Sequence, residues 1–436
     1  MRWPGNSVTS PVIATVQSHL VRELLRDRRF ATFWGGQAVS LVGSGMAPVA
    51  LAALVLTYYG AVGLGAAMAS TSIAFAVALL GGGVIADRYS RSVVMAVADV
   101  LRCGGAVANL ALLGRVPLPV VCGFAAVVGV GEALFRPAYR AAFAQLLDPD
   151  LLRRATVWQA MVGRGSMAIG AAVAGLLIAT VGPRVAFGVD AATFLVSIAT
   201  LLVIRLPRVP RDAEDLAPGL RGALRDAADG LRTVWRVPWA AVVMAQGTIQ
   251  VLLGFAAVFV LVPVVAADRY GPGAYGLLAA LAGVGSILGN LASLRLRTRR
   301  EGLTAMHGVA AFGGVCLCLA VPVPLWLFGA AQLLGWVGIG IFSALWYPAL
   351  QREFPHEVQG RVFSLEQLAT FALEPVGMAA APFIAAALGM PALGIGAAVI
   401  VVVSSYAVLA VRGVSTFGTG QRLVPAGAEE PVVAVA

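Results

Sequence analysis

Apolar runs of about 20 residues recur from one end of this chain to the other, separated by short charged or Pro- and Gly-bearing breaks. That pattern leaves few folds open. A run of this length crosses the hydrocarbon core of a bilayer as a helix, because every backbone polar group must be satisfied within the segment. With 59% hydrophobic and 12% charged residues, a water-soluble core could not hide so much apolar surface. Bounded by charge, Pro or Gly, the runs predict twelve spans near 32–57, 63–86, 93–114, 118–138, 156–180, 184–204, 240–266, 274–294, 303–321, 324–347, 364–388 and 391–411. The amino-terminal residues carry Pro4 and Arg22 to Arg29 before a run too long for a signal-peptide core, so that run is expected to remain as span one.

The net charge of +10 would suit nucleic acid if it were gathered on one module, but the arginines lie scattered between apolar runs, so no nucleic-acid partner is expected. They report topology instead. With twelve spans, 26 of the 31 basic residues, all arginine, fall at the termini and in even-numbered loops, leaving Arg115, Arg184 and Arg269 opposite and Arg102 and Arg164 within spans. The bias toward cytoplasmic basic residues then puts both termini in the cytoplasm, in a multi-pass protein of the bacterial inner (cytoplasmic) membrane.

The predicted organisation is a cytoplasmic amino-terminal segment, 1–31, a six-helix bundle, 32–205, a linker, 206–239, a second six-helix bundle, 240–411, and a disordered cytoplasmic tail, 412–436. In the linker Leu220, Leu224, Leu231 and Trp235 recur at helical spacing beside Arg221, Arg225, Arg232 and Arg236, which predicts an amphipathic helix on the membrane surface. Span four ends in Phe135-Arg136-Pro137-Ala138 and span ten in Trp346-Tyr347-Pro348-Ala349, the trace a duplicated six-helix unit would leave. Cys103, Cys122, Cys316 and Cys318 sit inside apolar runs as packing residues, and His19, His307 and His356 have no nucleophile or metal spacing around them. No metal, cofactor or enzymatic activity is expected, and no phosphate-cradling loop is present for direct ATP drive.

Between spans two and three stands Gly83-x-x-x-Asp87-Arg88-x-x-Arg91. This loop is similar to the signature of the major facilitator superfamily. Three further stretches resemble that superfamily's efflux branch of macrolide and siderophore exporters: Leu25 to Phe30 leading to Trp34 and Gln37, Phe135 to Ala138, and Gly360-Arg361-Val362-Phe363-Ser364. The resemblance implies an all-α membrane protein of two pseudo-symmetric six-helix bundles with a midplane site. It implies a proton-coupled exporter of an amphipathic or hydrophobic small molecule, such as a drug, macrolide-like compound or siderophore, working as a monomer in the lipid bilayer. An uptake or lipid-flipping facilitator, or a non-transporting sensor or scaffold, are the alternatives. Gly83, Asp87, Arg88 and Arg91 would form a conformational latch. Ser90 and Ser92 depart from the family pattern, and the matching place in the second half, Gly289 to Ser293, has no acid, so the latch is expected to be asymmetric.

An ionised side chain in mid-span costs roughly 2.5–3.5 kcal/mol on insertion scales, so each one needs a partner or a purpose. Asp99, Arg102, Glu132 and Arg164 lie at similar depth in the first half, about 9–15 Å from the inner end at 1.5 Å per residue, and could share one network. Asp99 and Arg102 stand three apart on one helix face and can pair. Glu132, expected beside the central cavity and near Arg164, and Glu374, the deep acid of the second half, could take a proton when dry and release it when wet. Asp190 is expected to cap local structure or pair with Arg184. Candidate polar contacts for substrate are Gln37 and Ser40 on span one, Gln246 and Gln250 on seven, Asn290 on eight and Gln367 on eleven, each of which could instead bond a neighbouring helix.

Overall fold

The computed structural model describes residues 28–204 and 229–418 apart from 148, 297 and 372, with the side chains of 80–88, 144, 149–158, 160, 161, 357, 370 and 371 left outside the description. Its first helical run, Arg28–Arg88, is 61 residues long. At 1.5 Å per residue that is about 90 Å, three times the thickness of a hydrocarbon core. The run divides at Gly60 (φ 64°, ψ −167°), a backbone conformation that favours glycine, and so supplies spans one and two. Spans three to six are Arg91–Leu112, Leu118–Gln145, Pro149–Thr180 and Pro183–Ile204. Span seven runs from Pro238 to Tyr270 and is interrupted by a π-helical turn, Val251–Phe255. Span eight is Ala274–Ser293, span nine joins Glu301–Ala311 to Gly313–Ala320, and span ten is Leu325–Glu353. Span eleven is broken between His356–Phe371 and Glu374–Leu388, and span twelve is Met390–Ala407.

All twelve predicted spans are helical, but four and ten run past their expected ends. Pro137 and Pro348 lie inside the helices, which continue to Gln145 and Glu353. Of the linker, residues 205–228 lie outside the description, and helix resumes at 229. The start of the tail expected to be disordered is folded instead. Val414 and Phe417 are buried, and the Phe417 ring packs 5.7 Å from that of Trp239 and 5.5 Å from that of Trp346. The 25-residue tail, 412–436, has no periodicity that would signal that anchor, which is one aromatic ring finding two others.

The duplication is written most clearly at the corners. Tyr59 precedes Gly60 and Tyr270 precedes Gly271, the latter with φ 86° and ψ −177°, so one Tyr-Gly pair ends the first span of each half. The Tyr59 hydroxyl donates to Val116 O between spans three and four at 2.5 Å, and the Tyr270 hydroxyl donates to Val323 O between spans nine and ten. Each half thus ties its first span to the turn between its third and fourth by the same residue. Tyr59→Phe, which removes this bond and the one Gly114 N donates to the same hydroxyl at 3.1 Å, should cost about 1–3 kcal/mol, seen as a fall in the thermal midpoint in detergent. An unchanged midpoint would mean the corner is held by packing alone.

Lipid tails are as apolar as the helices, so spans associate through close packing of small residues rather than by expelling water. Between the halves, span five lies on eight and span two on eleven. A Cβ on Gly276 would stand 2.3 Å from Gly175 Cα, and one on Gly65 would stand 2.7 Å from Met378 O. These contacts lie toward the end of the bundle remote from residues 28, 204 and 238, where one continuous core includes Val49 and Ala174 of the first half and Leu278 and Met378 of the second. At the opposite end the core splits. Phe33, Phe135 and Tyr139 belong to one cluster, and Trp239, Trp346 and Phe417 to another. Among the described residues, the buried core therefore joins the halves at one end and divides between them at the end that carries residues 28 and 238.

Candidate functional site: a buried ion network and an aromatic cavity

Arg102 on span three is the hub of the first half. Its Nη1 donates to Asp99 Oδ1 at 3.1 Å, one turn back on the same helix, and its Nη2 lies 3.2 Å from Glu132 Oε2 on span four. Nη2 also donates to the Ser44 hydroxyl on span one. Phe135 and Phe194 close over the guanidinium at 4.8 and 4.4 Å, a placement that suits a cation against aromatic faces. Asp99 receives a second bond, 2.5 Å, from the Ser197 hydroxyl on span six, and Ser197 accepts one from Gln37 at 2.8 Å. Glu132 receives its second from Arg136 Nε at 2.8 Å. Asp99 and Arg102 are almost wholly buried, whereas Glu132 is half-buried and Arg136 exposed, so the network leads from the interior to an accessible rim.

Arg164 does not join this network. It is exposed and donates to Ser286 on span eight at 3.3 Å, spanning the two halves. Span five carries it on the face toward span eight, a direction that depth alone could not reveal. Nor does Asp190 pair with Arg184, which is exposed and donates to the Tyr58 hydroxyl at 3.2 Å, while Asp190 is buried. The side chains of Asp87 and Arg88 lie outside the described residues, and the backbone from Gly83 to Arg88 is helical. Arg91 donates to Gln145 Oε1 at 2.8 Å and ties the start of span three to the end of span four.

The second half holds a cavity of about 340 Å³ between spans seven, nine, ten and eleven. Its walls are mainly aromatic and aliphatic, with Phe255, Phe259, Trp336, Phe342, Trp346 and Tyr347 among them, and two carboxyl side chains, Glu366 and Glu374, face it from span eleven. Two departures from regular helix border it. Val251 and Phe255 open and close the π-helical turn of span seven, and Glu374 begins the second segment of broken span eleven, just before Pro375. Such interruptions free helix ends at membrane depth and are tolerated where they line a cavity.

Glu366 falls near the start of its span, where an acid gives no signal in the sequence. It nonetheless faces the cavity. It is 9% exposed, accepts from the Tyr347 hydroxyl at 3.5 Å, and accepts from Gln367 Nε2 at 3.2 Å. Gln246 and Gln250 both line the cavity, although their amides already donate to span twelve, Gln250 to Ser404 at 2.8 Å and Gln246 to Ser405 at 3.4 Å. Gln367 is exposed, and Asn290 donates to Ser286 O of its own helix at 2.7 Å. Gln37 and Ser40 are buried within the first half.

Twelve spans in two related halves, with a polar and aromatic interior, match a known family over most of the chain. The Major Facilitator Superfamily description fits residues 33–373. The chain belongs to the major facilitator superfamily. Among curated relatives this facilitator is 29% identical to the multidrug efflux pump Tap of Mycolicibacterium fortuitum over 366 residues, 80% of this chain and 87% of that one. It is 28% identical to the enterobactin exporter EntS of Shigella flexneri over 316 residues, 69% of this chain and 71% of that one. Its fold is shared by a bacterial homologue of the iron transporter ferroportin in an inward-facing state (TM-score 0.68, 15% identity, 88% of this chain and 98% of that one). A D-xylose-proton symporter is similar in the same sense (TM-score 0.66, 14% identity, 90% and 100%). This facilitator is a multi-pass membrane transporter rather than an enzyme.

Proposed function

We propose that this transporter exports an amphipathic or hydrophobic small molecule, of the drug, macrolide-like or siderophore kind, in exchange for protons across a bacterial cytoplasmic membrane. The aromatic cavity with Glu366 and Glu374 carries the reading: its walls suit apolar rings, and its carboxyl groups suit a polar or basic edge of the same molecule. The named activities of Tap and EntS support export and this range of cargo. The arginine bias supports a cytoplasmic position for both termini, and hence for the end at which the halves separate. The conformation described is then the one that loads from the cytoplasm. Rocking of the halves would break the packing of span five on eight and two on eleven and open the far side. Glu132, on the accessible rim of the ion network, is a proton-carrying candidate, and Gly83, Asp87, Arg88 and Arg91 are the candidate latch on the cytoplasmic side.

Accumulation of a macrolide, a catechol siderophore and a lipophilic dye in a pump-deficient bacterial host, with and without the chain, tests this reading. At least one compound should accumulate less when the chain is expressed, and the difference should vanish with a protonophore. Equal accumulation of all three would refute it. For an exported compound, Glu366→Gln should raise the half-saturating concentration roughly tenfold, about 1.4 kcal/mol. An unchanged value would remove Glu366 from the site.

A further inference from the structure

Three acids share the interior of the first half with one buried guanidinium, and two of them are well supplied with donors. Asp99 receives Arg102 Nη1 and the Ser197 hydroxyl, and Glu132 receives Arg102 Nη2 and Arg136 Nε. Asp190 differs. It is 1% exposed, and its Oδ1 is buried without a hydrogen bond among the described residues. The nearby Thr193 hydroxyl donates at 2.7 Å to the main-chain carbonyl of Asp190, not to its carboxyl. On span six Asp190 stands one turn from Phe194, whose ring covers Arg102 at 4.4 Å, and two turns from Ser197, which serves Asp99. Phe194 and Ser197 thus reach span three, and the Asp190 carboxyl lies beside them where span one passes close, since a Cβ on Gly43 would stand 2.9 Å from Asp190 Oδ1. Arg102 Nε is likewise buried without a partner among the described residues. One orphaned acceptor and one orphaned donor therefore belong to the same packed cluster.

A carboxylate held dry with an oxygen unsatisfied is the costlier form, and the neutral acid the cheaper one. We infer that Asp190 carries a proton in the conformation described, and that on losing it becomes a partner of Arg102 through the free Nε–H. In that step the O–H bond of Asp190 breaks, the proton passes to water admitted to the first half, and the carboxylate accepts from Arg102. Among the described residues, the charged and titratable groups of this cluster are Asp99, Arg102 and Cys103 on span three and Glu132 and Arg136 on span four; span one contributes the neutral Gln37, Ser40 and Ser44, and Arg164 of span five turns to Ser286 on span eight. The use of this proton in coupling rests on the exporter reading. The protonation itself does not, and it can be read without any solute.

The test is infrared difference spectroscopy between neutral and alkaline pH on the purified full chain, labelled with carboxyl-13C aspartate. The expected result is a labelled carboxylic-acid carbonyl band that disappears as pH rises, is absent in Asp190→Asn and persists in Asp99→Asn. Should Asp190→Asn fail to fold, Asp190→Glu decides, because the band must then return to its unlabelled frequency. A labelled band that persists in Asp190→Asn or Asp190→Glu, that never titrates, or that is missing from the unmutated chain would overturn the inference. Failure of export in cells with this band present would count against the exporter reading alone.

Discussion

Arg102→Ala should be the most damaging single substitution in the first half, lowering stability by about 3–5 kcal/mol through loss of one member of a buried ion network. That is a large part of the 5–15 kcal/mol typical of whole domains. The reason is what remains. Asp99, 0% exposed, would keep only the Ser197 hydroxyl, and Glu132 only Arg136. Phe135 and Phe194 would face each other across the space the guanidinium filled. Thermal unfolding in detergent, followed by size-exclusion of the surviving fraction, measures the loss. Combining Arg102→Leu with Asp99→Asn and Glu132→Gln should recover much of it, since neutral groups of similar volume no longer carry uncompensated charge. If Arg102→Ala unfolds at the same temperature as the unmutated chain, the network contributes nothing to the fold.

The second large effect is expected at Gly276. A Cβ there would meet Gly175 Cα at 2.3 Å, Gly175 N at 2.6 Å and Ala171 O at 2.7 Å. All three are backbone atoms, so no side chain can swing aside. Overpacking of this kind costs about 1–3 kcal/mol, and conformations of a transporter differ by only a few kcal/mol. Gly276→Leu should therefore expel the conformation described and hold the halves apart at the end remote from residues 28 and 238. With Cys103, Cys122, Cys316 and Cys318 replaced, spin labels at Val181→Cys and Asp268→Cys, both exposed at that end, should report a longer distance in Gly276→Leu than in its absence. Transport should stop, because one half of the cycle is closed to it. An unchanged distance distribution would show that the Gly175–Gly276 contact does not decide which end is shut.

Span number and approximate position were legible because hydrophobic length is a one-dimensional signal, and a bilayer reads it directly. Pairing of Asp99 with Arg102 was legible for a similar reason, since three residues along a helix fixes a face. What the chain hides is direction around each helix. Arg164 and Glu132 lie at similar depth yet point to different partners, and Asp190, expected to cap local structure or pair with Arg184, is buried instead. Interruptions are hidden too. Nothing in Val251–Phe255 announces a π-helical turn, and nothing in the sequence announces the break of span eleven before Glu374, with Glu366 and Glu374 lining the cavity on either side of it. The repeat was present in plain letters as Tyr59-Gly60 and Tyr270-Gly271, but two residues carry no weight until the backbone shows them making the same corner.

Export coupled to protons is the central claim, and transport into inside-out membrane vesicles tests it most directly. For a neutral solute exchanged for one proton, a pH step of one unit and 100 mV of potential supply roughly 1.4 and 2.3 kcal/mol, enough for a gradient of a few hundredfold. A compound identified by the accumulation screen should enter vesicles that are acid inside, should leave when a protonophore collapses the gradient, and should move far more slowly with Asp87→Asn or Glu132→Gln. Undiminished pH-driven movement in both variants, or movement indifferent to the gradient in the unmutated chain, would contradict the account.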